Sequence, residues 1–156
     1  MAGPFKQFIF PGKLHATKIP HHLNTILGSC VAICLWDSVL KTGGMNHYML
    51  PLWNGEGLAS PKYGNVAIER LINKMLLLGS KKRNIKAKIF GGASIISLQN
   101  DLYNIGERNI QIAEELLEQE KISIIAKSVG GFQGRKIQMD TENFQVRQHL
   151  IAKKNF

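Results

Sequence analysis

The sequence predicts an α+β fold, with a mixed β-rich sheet core and two main helices packed outside it. Short segments typical of strands occur before, between and after two longer segments with helical spacing. The chain has 156 residues, 44% of them hydrophobic and 20% charged, which is typical of a globular domain that buries a core. We therefore expect a single domain over residues 1–156.

Strand-like segments fill much of the chain outside the helices. They lie at residues 13–18, 26–36, 45–50, 86–90, 122–129, 135–140 and 144–150. From Val31 on, the second segment is apolar at both parities, which indicates a strand buried on both faces. The last two segments predict a hairpin with its turn near residues 141–143. His21 and His22 follow Pro20 and are predicted to lie in a loop.

Two segments, residues 65–78 and 107–120, predict helices because their apolar residues recur at the spacing that forms one stripe along a helix. Gly79 is suited to end the first helix. Arg108 and Asn109 are predicted to cap the second helix and not to touch a substrate.

The chain is strongly basic, with 20 Lys and Arg against 11 Asp and Glu and a net charge of +9. The excess is concentrated at Lys81, Lys82, Arg83, Lys86 and Lys88, and again at Arg147, Lys153 and Lys154. This charge favours an acidic partner, or else it is a solvated face that keeps the protein soluble. Aromatic residues do not interleave with the basic runs, so nucleic acid is not an expected partner.

The expected compartment is the cytoplasm. No apolar stretch approaches the roughly 18 residues of a spanning helix, so membrane insertion is not expected. The first residues lack the features of a signal peptide, and two cysteines are too few for a disulfide framework.

Cys30 is the candidate nucleophile. A free cysteine is most often a small buried hydrophobic residue, but Cys30 directly follows Gly28 and Ser29 at the start of a buried strand. A tight turn there exposes the side chain and leaves the backbone N–H groups of Gly28 and Ser29 as candidate donors to an oxyanion. Cys34 points to the same side by strand parity but lies deeper, and we expect it in the core.

A thiol of ordinary pKa needs a base at neutral pH, and His47 is the candidate among five histidines. It lies in a short apolar strand that follows the Cys30 strand after a short connection, so antiparallel pairing brings the two side chains together. The alternative is a half-buried histidine with satisfied hydrogen bonds. The hydroxyl of Thr25 is the candidate third group, and Asp37 is the nearest acid along the chain.

Two further features leave alternatives open. Cys30, Cys34 and His47, with His21 or His22, are the residue types of a Cys2His2 zinc site, but the core position predicted for Cys34 argues against it, so no metal and no cofactor is expected. The glycine pairs at residues 91–92 and 130–131 either line a cleft that a backbone approaches closely or end two strands tightly.

Residues 25–35, Thr-Ile-Leu-Gly-Ser-Cys-Val-Ala-Ile-Cys-Leu, and 43–51, Gly-Gly-Met-Asn-His-Tyr-Met-Leu-Pro, resemble the CheD family of chemoreceptor glutamine deamidases. Further similar blocks follow in the same order at residues 63–73, 88–93, 105–109 and 129–136. The resemblance covers about residues 20–150. Lys127-Ser128 and Thr141-Glu142 depart from it, since an acidic residue and a Thr-Gly pair are frequent there in the family.

The resemblance implies a Cys-His-Thr site, in which Cys30 is the nucleophile and His47 is the general base and then the acid. The threonine lies five or six positions before the cysteine, so Thr25 takes the role by residue type, and Asn24 occupies the other position. The implied fold is a CheD-like domain similar to the catalytic domain of the cytotoxic necrotising factor toxins.

The implied activity is the hydrolysis of selected receptor glutamines to glutamate through a Cys thioester, which is the activity of a protein-glutamine glutaminase. The implied partners are the cytoplasmic domains of chemoreceptors (methyl-accepting chemotaxis proteins) and, as in some members, the phosphatase CheC. The alternative is a chemotaxis adaptor without enzymatic activity, which binds receptors or CheC through the same cleft.

Overall fold

The computed structural model describes residues 3–94 and 104–152, which form nine β-strands, two α-helices and one turn of 3-10 helix over Lys82–Asn84. The helices are α1 (Gly64–Leu77) and α2 (Ile105–Gln119). The strands are β1 (Phe5–Phe8), β2 (Leu14–Thr17), β3 (His21–Leu27), β4 (Val31–Asp37), β5 (Thr42–Asn46), β6 (Ile85–Gly91), β7 (Ser123–Val129), β8 (Arg135–Asp140) and β9 (Val146–Leu150). Lys153 and Lys154 of the second basic cluster lie outside the described residues.

The strands form two mixed sheets. A four-stranded sheet has the order β1-β3-β8-β9, and a five-stranded sheet has the order β2-β5-β4-β6-β7. Each sheet contains one parallel pair, β1 with β3 and β6 with β7, and its other pairs are antiparallel. The predicted α+β fold with a mixed β-rich core and two helices is confirmed, and so is the β8–β9 hairpin.

Three layers result, and β4 lies at their centre. Val31, Ile33 and Leu35 point toward α1 and α2, whereas Ala32 and Cys34 point toward the four-stranded sheet. All five residues are fully buried, which confirms the strand buried on both faces. Burial of each large aliphatic side chain contributes about 1.5–3 kcal/mol, so both faces of β4 stabilise the sandwich.

The loop predicted for His21 and His22 is wrong, because these residues are the first two of strand β3. Its inner face is buried and its outer face carries His22 and Asn24, and the polar outer residues weakened the apolar signal of the strand. Residues 28–30 form a turn that divides the predicted 26–36 segment between β3 and β4. Strand β5 ends at Asn46, and Tyr48 continues the pairing as a single bridge to Val31.

The ends of the helices also differ in part from the expectation. Gly79 has a φ of +106° and follows α1 directly after its C-cap, as predicted for a stop signal. The side chain of Asn104 accepts a hydrogen bond from the Glu107 N–H and caps α2. The prediction that Arg108 and Asn109 cap α2 is therefore wrong. Neither described helix combines the length and the hydropathy needed to span a membrane.

Candidate active site

The turn that joins β3 to β4 holds Cys30 with its backbone carbonyls tied inward. The Gly28 carbonyl accepts from the Ala93 N–H at 3.0 Å, and the Cys30 carbonyl accepts from the Gly92 N–H at 2.9 Å. The Ser29 carbonyl accepts from a side-chain amide of α2 at 3.0 Å. Within residues 3–94 and 104–152, the N–H groups of the turn donate to no backbone or side-chain acceptor of another residue. The N–H groups of Gly28 and Ser29 therefore have no acceptor among the described residues.

Glycine at position 91 is required by this turn. Gly91 has a φ of +108°, and a Cβ added there would lie 2.2 Å from the Cys30 carbonyl oxygen. Gly91 is also the last residue of β6. The first glycine pair thus ends a strand and admits a close backbone, and that backbone is the chain's own Cys30 turn.

The register of β4 and β5 puts Cys30 and His47 on the same face. Val31 pairs with Tyr48 and Cys34 pairs with Met45, so Ala32 lies opposite His47. Cys30 is diagonal to His47 and packs against the cluster between the two sheets. Diagonal neighbours on one face of an antiparallel pair typically have Cβ atoms about 7 Å apart. Among the described residues, no hydrogen bond joins Cys30 Sγ to His47 Nε2.

A hydrogen bond of 2.8 Å joins His47 Nδ1 to Thr25 Oγ1 and links the two sheets. Thr25 Oγ1 also lies 2.7 Å from the Ile9 carbonyl oxygen. Because a carbonyl oxygen can only accept, the hydroxyl proton is donated to Ile9, and the hydroxyl oxygen accepts the proton carried by Nδ1. This assigns the tautomer of His47 and leaves a lone pair on Nε2. Nε2 is buried and has no partner among the described residues.

Asn24 lies on the other face of β3. Its amide nitrogen donates to the His22 carbonyl at 3.1 Å, and its oxygen accepts from Gln138 at 3.0 Å. Of the two residues that the sequence offered for the third position, only Thr25 hydrogen-bonds to His47.

Burial acts on the two titratable groups in opposite directions. It raises the pKa of the Cys30 thiol, and the backbone N–H of the same residue offsets part of the rise. It lowers the pKa of the His47 imidazole, and the Ile9 carbonyl offsets part of the fall. Both shifts favour the neutral thiol and the neutral imidazole.

Cys34 differs from Cys30 in its surroundings. It is fully buried between the two sheets, which confirms its predicted place in the core. Burial raises the pKa of the Cys34 thiol to about 12, with Lys88 opposing the shift. Cys34 is thus a poor nucleophile at neutral pH.

Asp37 and the other histidines lie away from the site. Asp37 ends β4 opposite Thr42, where its carboxylate accepts the backbone N–H of Val39. His21 and His22 begin β3 at the far end from Thr25 and pair with His15 and Asp140, respectively. The described residues contain no group of three His, Cys, Asp or Glu able to hold a metal ion, so the Cys2His2 alternative is not met.

Asn109 is the residue that sequence reasoning missed. It is fully buried in α2, and its side-chain amide is the donor to the Ser29 carbonyl. The available signal was its position, because Asn109 falls in helical register with the buried Ile112 and Ala113 on the apolar stripe. A polar side chain on such a stripe indicates a specific buried hydrogen bond.

The CheD family model, described as CheD chemotactic sensory transduction, matches residues 49–149. The matched range begins after His47, so the match does not include the three candidate residues themselves. Relatives named "Probable chemoreceptor glutamine deamidase CheD" cover more of the chain. The protein of Trichlorobacter lovleyi is 52% identical over 136 residues, 87% of this chain and 84% of the relative. That of Sulfurimonas denitrificans is 46% identical over 153 residues, 97% of each chain.

Proposed function

The chain belongs to the CheD family, and on that premise we propose that it is a protein-glutamine glutaminase that converts glutamine side chains of chemoreceptors to glutamate. The names of the relatives support deamidation of chemoreceptors. The observation that carries the proposal is the state of His47. Thr25 and Ile9 fix its tautomer, and its basic Nε2 has no partner among the described residues, on the face that Cys30 shares.

The first chemical step joins Cys30 to the substrate. His47 Nε2 takes the thiol proton while the sulfur attacks the carboxamide carbon, and the carbonyl π electrons move to the oxygen. The N–H groups of Gly28 and Ser29, which have no acceptor among the described residues, stabilise the resulting oxyanion. Loss of one such donor typically costs about 3–4 kcal/mol of transition-state stabilisation.

The second step releases ammonia and then glutamate. The imidazolium gives its proton to the leaving nitrogen as the C–N bond breaks, which leaves a thioester on Cys30. His47 then takes a proton from water as the water oxygen attacks the thioester carbon. When the C–S bond breaks, the proton returns to sulfur and the enzyme is restored.

Thr25 keeps the imidazole oriented throughout. Nδ1 carries a proton in both the neutral and the protonated ring, so its bond to the Thr25 oxygen persists during the cycle. Because the described residues place no carboxylate beside the ring, the imidazolium is not stabilised as a permanent ion. His47 therefore acts as a transient proton carrier.

We further propose that the substrates are the cytoplasmic domains of receptors, so that the protein acts in the cytoplasm. The net charge of +9 suits an acidic receptor surface. Binding of a receptor fragment should then weaken markedly between low and high salt. Binding that is insensitive to salt would contradict this use of the charge. CheC is the proposed second partner.

The test of the activity is mass spectrometry of a receptor cytoplasmic fragment incubated with the parent protein. Each deamidated glutamine gains about one dalton, and free ammonia appears in equal amount. Cys30→Ala should give neither product, whereas the matched control Cys34→Ala should give both. A mass gain that persists with Cys30→Ala would overturn the proposal. Binding without a mass gain by the parent protein would favour the adaptor.

A further inference from the structure

We propose that Asn109 is a positioning residue that holds the Cys30 turn against the segment that carries His47. The inference deepens the proposed function, because it rests on the same thiol and imidazole. Asn109 donates its side-chain hydrogen bonds to backbone carbonyls and not to the thiol or the imidazole. It acts through the backbone on both sides of them.

The amide of Asn109 bridges two carbonyls. Its Nδ2 atom lies 3.0 Å from the Ser29 oxygen and 3.0 Å from the Met49 oxygen. Ser29 directly precedes Cys30, and Met49 lies two residues after His47. Both protons of the amide are therefore used, one on each side of the candidate pair.

The bridge stands where the ladder between the two segments ends. Val31 and Tyr48 exchange both backbone hydrogen bonds, at 3.1 and 3.0 Å. Continued pairing would give the Ser29 carbonyl a donor from Leu50, but the N–H groups of Met49 and Leu50 both donate to the Lys62 carbonyl. Asn109 supplies the missing donor. Without it, the pair of hydrogen bonds between Val31 and Tyr48 would be the last backbone link to the His47 segment, and Ser29 and Cys30 would lie beyond it.

Helix α2 is a fixed support for this amide. The Tyr48 hydroxyl donates to the Asn109 carbonyl at 2.5 Å. Nearly one helical turn earlier, a Cβ added at Gly106 would lie 2.5 Å from the Gly92 carbonyl oxygen, so helix and strand end are in close contact. The N–H of Gly92 holds the Cys30 carbonyl. The helix thus braces the turn from two sides.

The test compares Asn109→Ala with Leu117→Ala. Leu117 is a fully buried residue of the same helix, about two turns further on, so its truncation destabilises the core without touching the bridge. Asn109→Ala should lower kcat about 100-fold with little change in KM, since a displacement of about 1 Å at a reacting group has an effect of this size. Leu117→Ala should retain kcat at a temperature where it is folded. Equal kcat losses in the two variants would overturn the inference.

A second readout needs no substrate. The rate of Cys30 alkylation by iodoacetamide, mapped by peptide mass, is measured against pH for the parent, His47→Ala and Asn109→Ala. The Asn109→Ala profile should follow that of His47→Ala, because the thiol has lost its base in both. A profile identical to the parent's would refute positioning even if kcat fell. If Asn109→Ala does not fold, Asn109→Ser, whose hydroxyl is too short to bridge both carbonyls, is measured in its place.

The two readouts separate this inference from the proposed function. If the parent releases no ammonia from receptor but the alkylation profiles change as stated, the glutaminase proposal fails and the positioning role stands. If the parent releases ammonia and Asn109→Ala matches it in both readouts, the positioning role fails and the glutaminase proposal stands.

Discussion

Cys30 and Cys34 lie four residues apart on the same face of the same strand region, yet they differ in backbone pairing and in burial. Cys34 sits within the regular ladder of β4, where apolar side chains from both sheets enclose it. Cys30 lies one residue before β4 begins, where other segments donate to the backbone carbonyls and the N–H groups have no acceptor among the described residues. The proposed difference in reactivity therefore depends on the position of each cysteine relative to the paired part of β4, since the residue type is the same.

The largest expected difference between the two positions is in catalysis. Cys30→Ser should lower kcat/KM by about 10⁴-fold or more, because a hydroxyl is far less acidic than a thiol and His47 cannot activate it equally. The rate of ammonia release from a receptor fragment measures this effect. A serine variant within tenfold of the parent would mean that Cys30 is not the nucleophile.

His47→Gln should lower kcat by about 10³-fold, because the amide keeps the polar volume but cannot carry the proton from sulfur to the leaving nitrogen. The control is His22→Gln, since His22 lies on the outer face of β3 and pairs with Asp140. Single-turnover ammonia release measures both variants. Similar rates for the two variants would remove His47 from the chemistry.

Thr25→Val should lower kcat about 10- to 100-fold, since it leaves the Nδ1 proton of His47 and the Ile9 carbonyl unpaired in a buried site. Thr25→Ser keeps the hydroxyl and should recover most of the activity. Asn24→Ala is the matched control on the opposite face of β3. A greater loss with Asn24→Ala than with Thr25→Val would assign the third position to Asn24.

The pH profile should reflect the burial of His47. Burial lowers the pKa of the imidazole, so the neutral base persists to lower pH than in an exposed histidine. The acid limb of kcat/KM, which reports the free enzyme, should therefore have its midpoint below about 6.5. A midpoint above that value would instead indicate an ion pair in which a thiolate stabilises the imidazolium.

The features of the two cysteines that depend on neighbouring residues in the chain are predictable from the sequence. Apolar residues at both parities gave the buried strand from Val31 on, and Gly28 with Ser29 gave the turn before Cys30. The place of Cys34 in the core followed from the same parity. Residue type and family resemblance predict Thr25 for the third position, but neither contains its contact with His47.

The remaining features depend on contacts between distant segments. The tautomer of His47 is set by the Ile9 carbonyl, which lies far from His47 in sequence. Because this carbonyl is a backbone group, the residue type at position 9 does not reveal its role. The Ser29 carbonyl accepts a hydrogen bond from Asn109. The sequence shows that Asn109 is polar, but it does not indicate which residue Asn109 bonds to. The sequence pattern does not predict the first part of strand β3, because the pairing of β3 with β8 buries only one face of the strand.

The smallest effect on activity is expected at Cys34, and it completes the comparison. Cys34→Ser places a hydroxyl among apolar side chains between the sheets, which should lower the free energy of unfolding by about 1–3 kcal/mol. The folded fraction should keep nearly the parental kcat, because the ladder end and His47 are unchanged. Denaturant unfolding measures the free energy of unfolding, and the rate of ammonia release per folded molecule measures kcat.

Cys30→Ser should give the opposite result, with a large loss of activity and little loss of stability, because Cys30 is partly exposed. If Cys34→Ser lost activity without losing stability, the Cys34 thiol would have to take part in the reaction. The assignment of the chemistry to Cys30, at the end of the paired strand, would then fail.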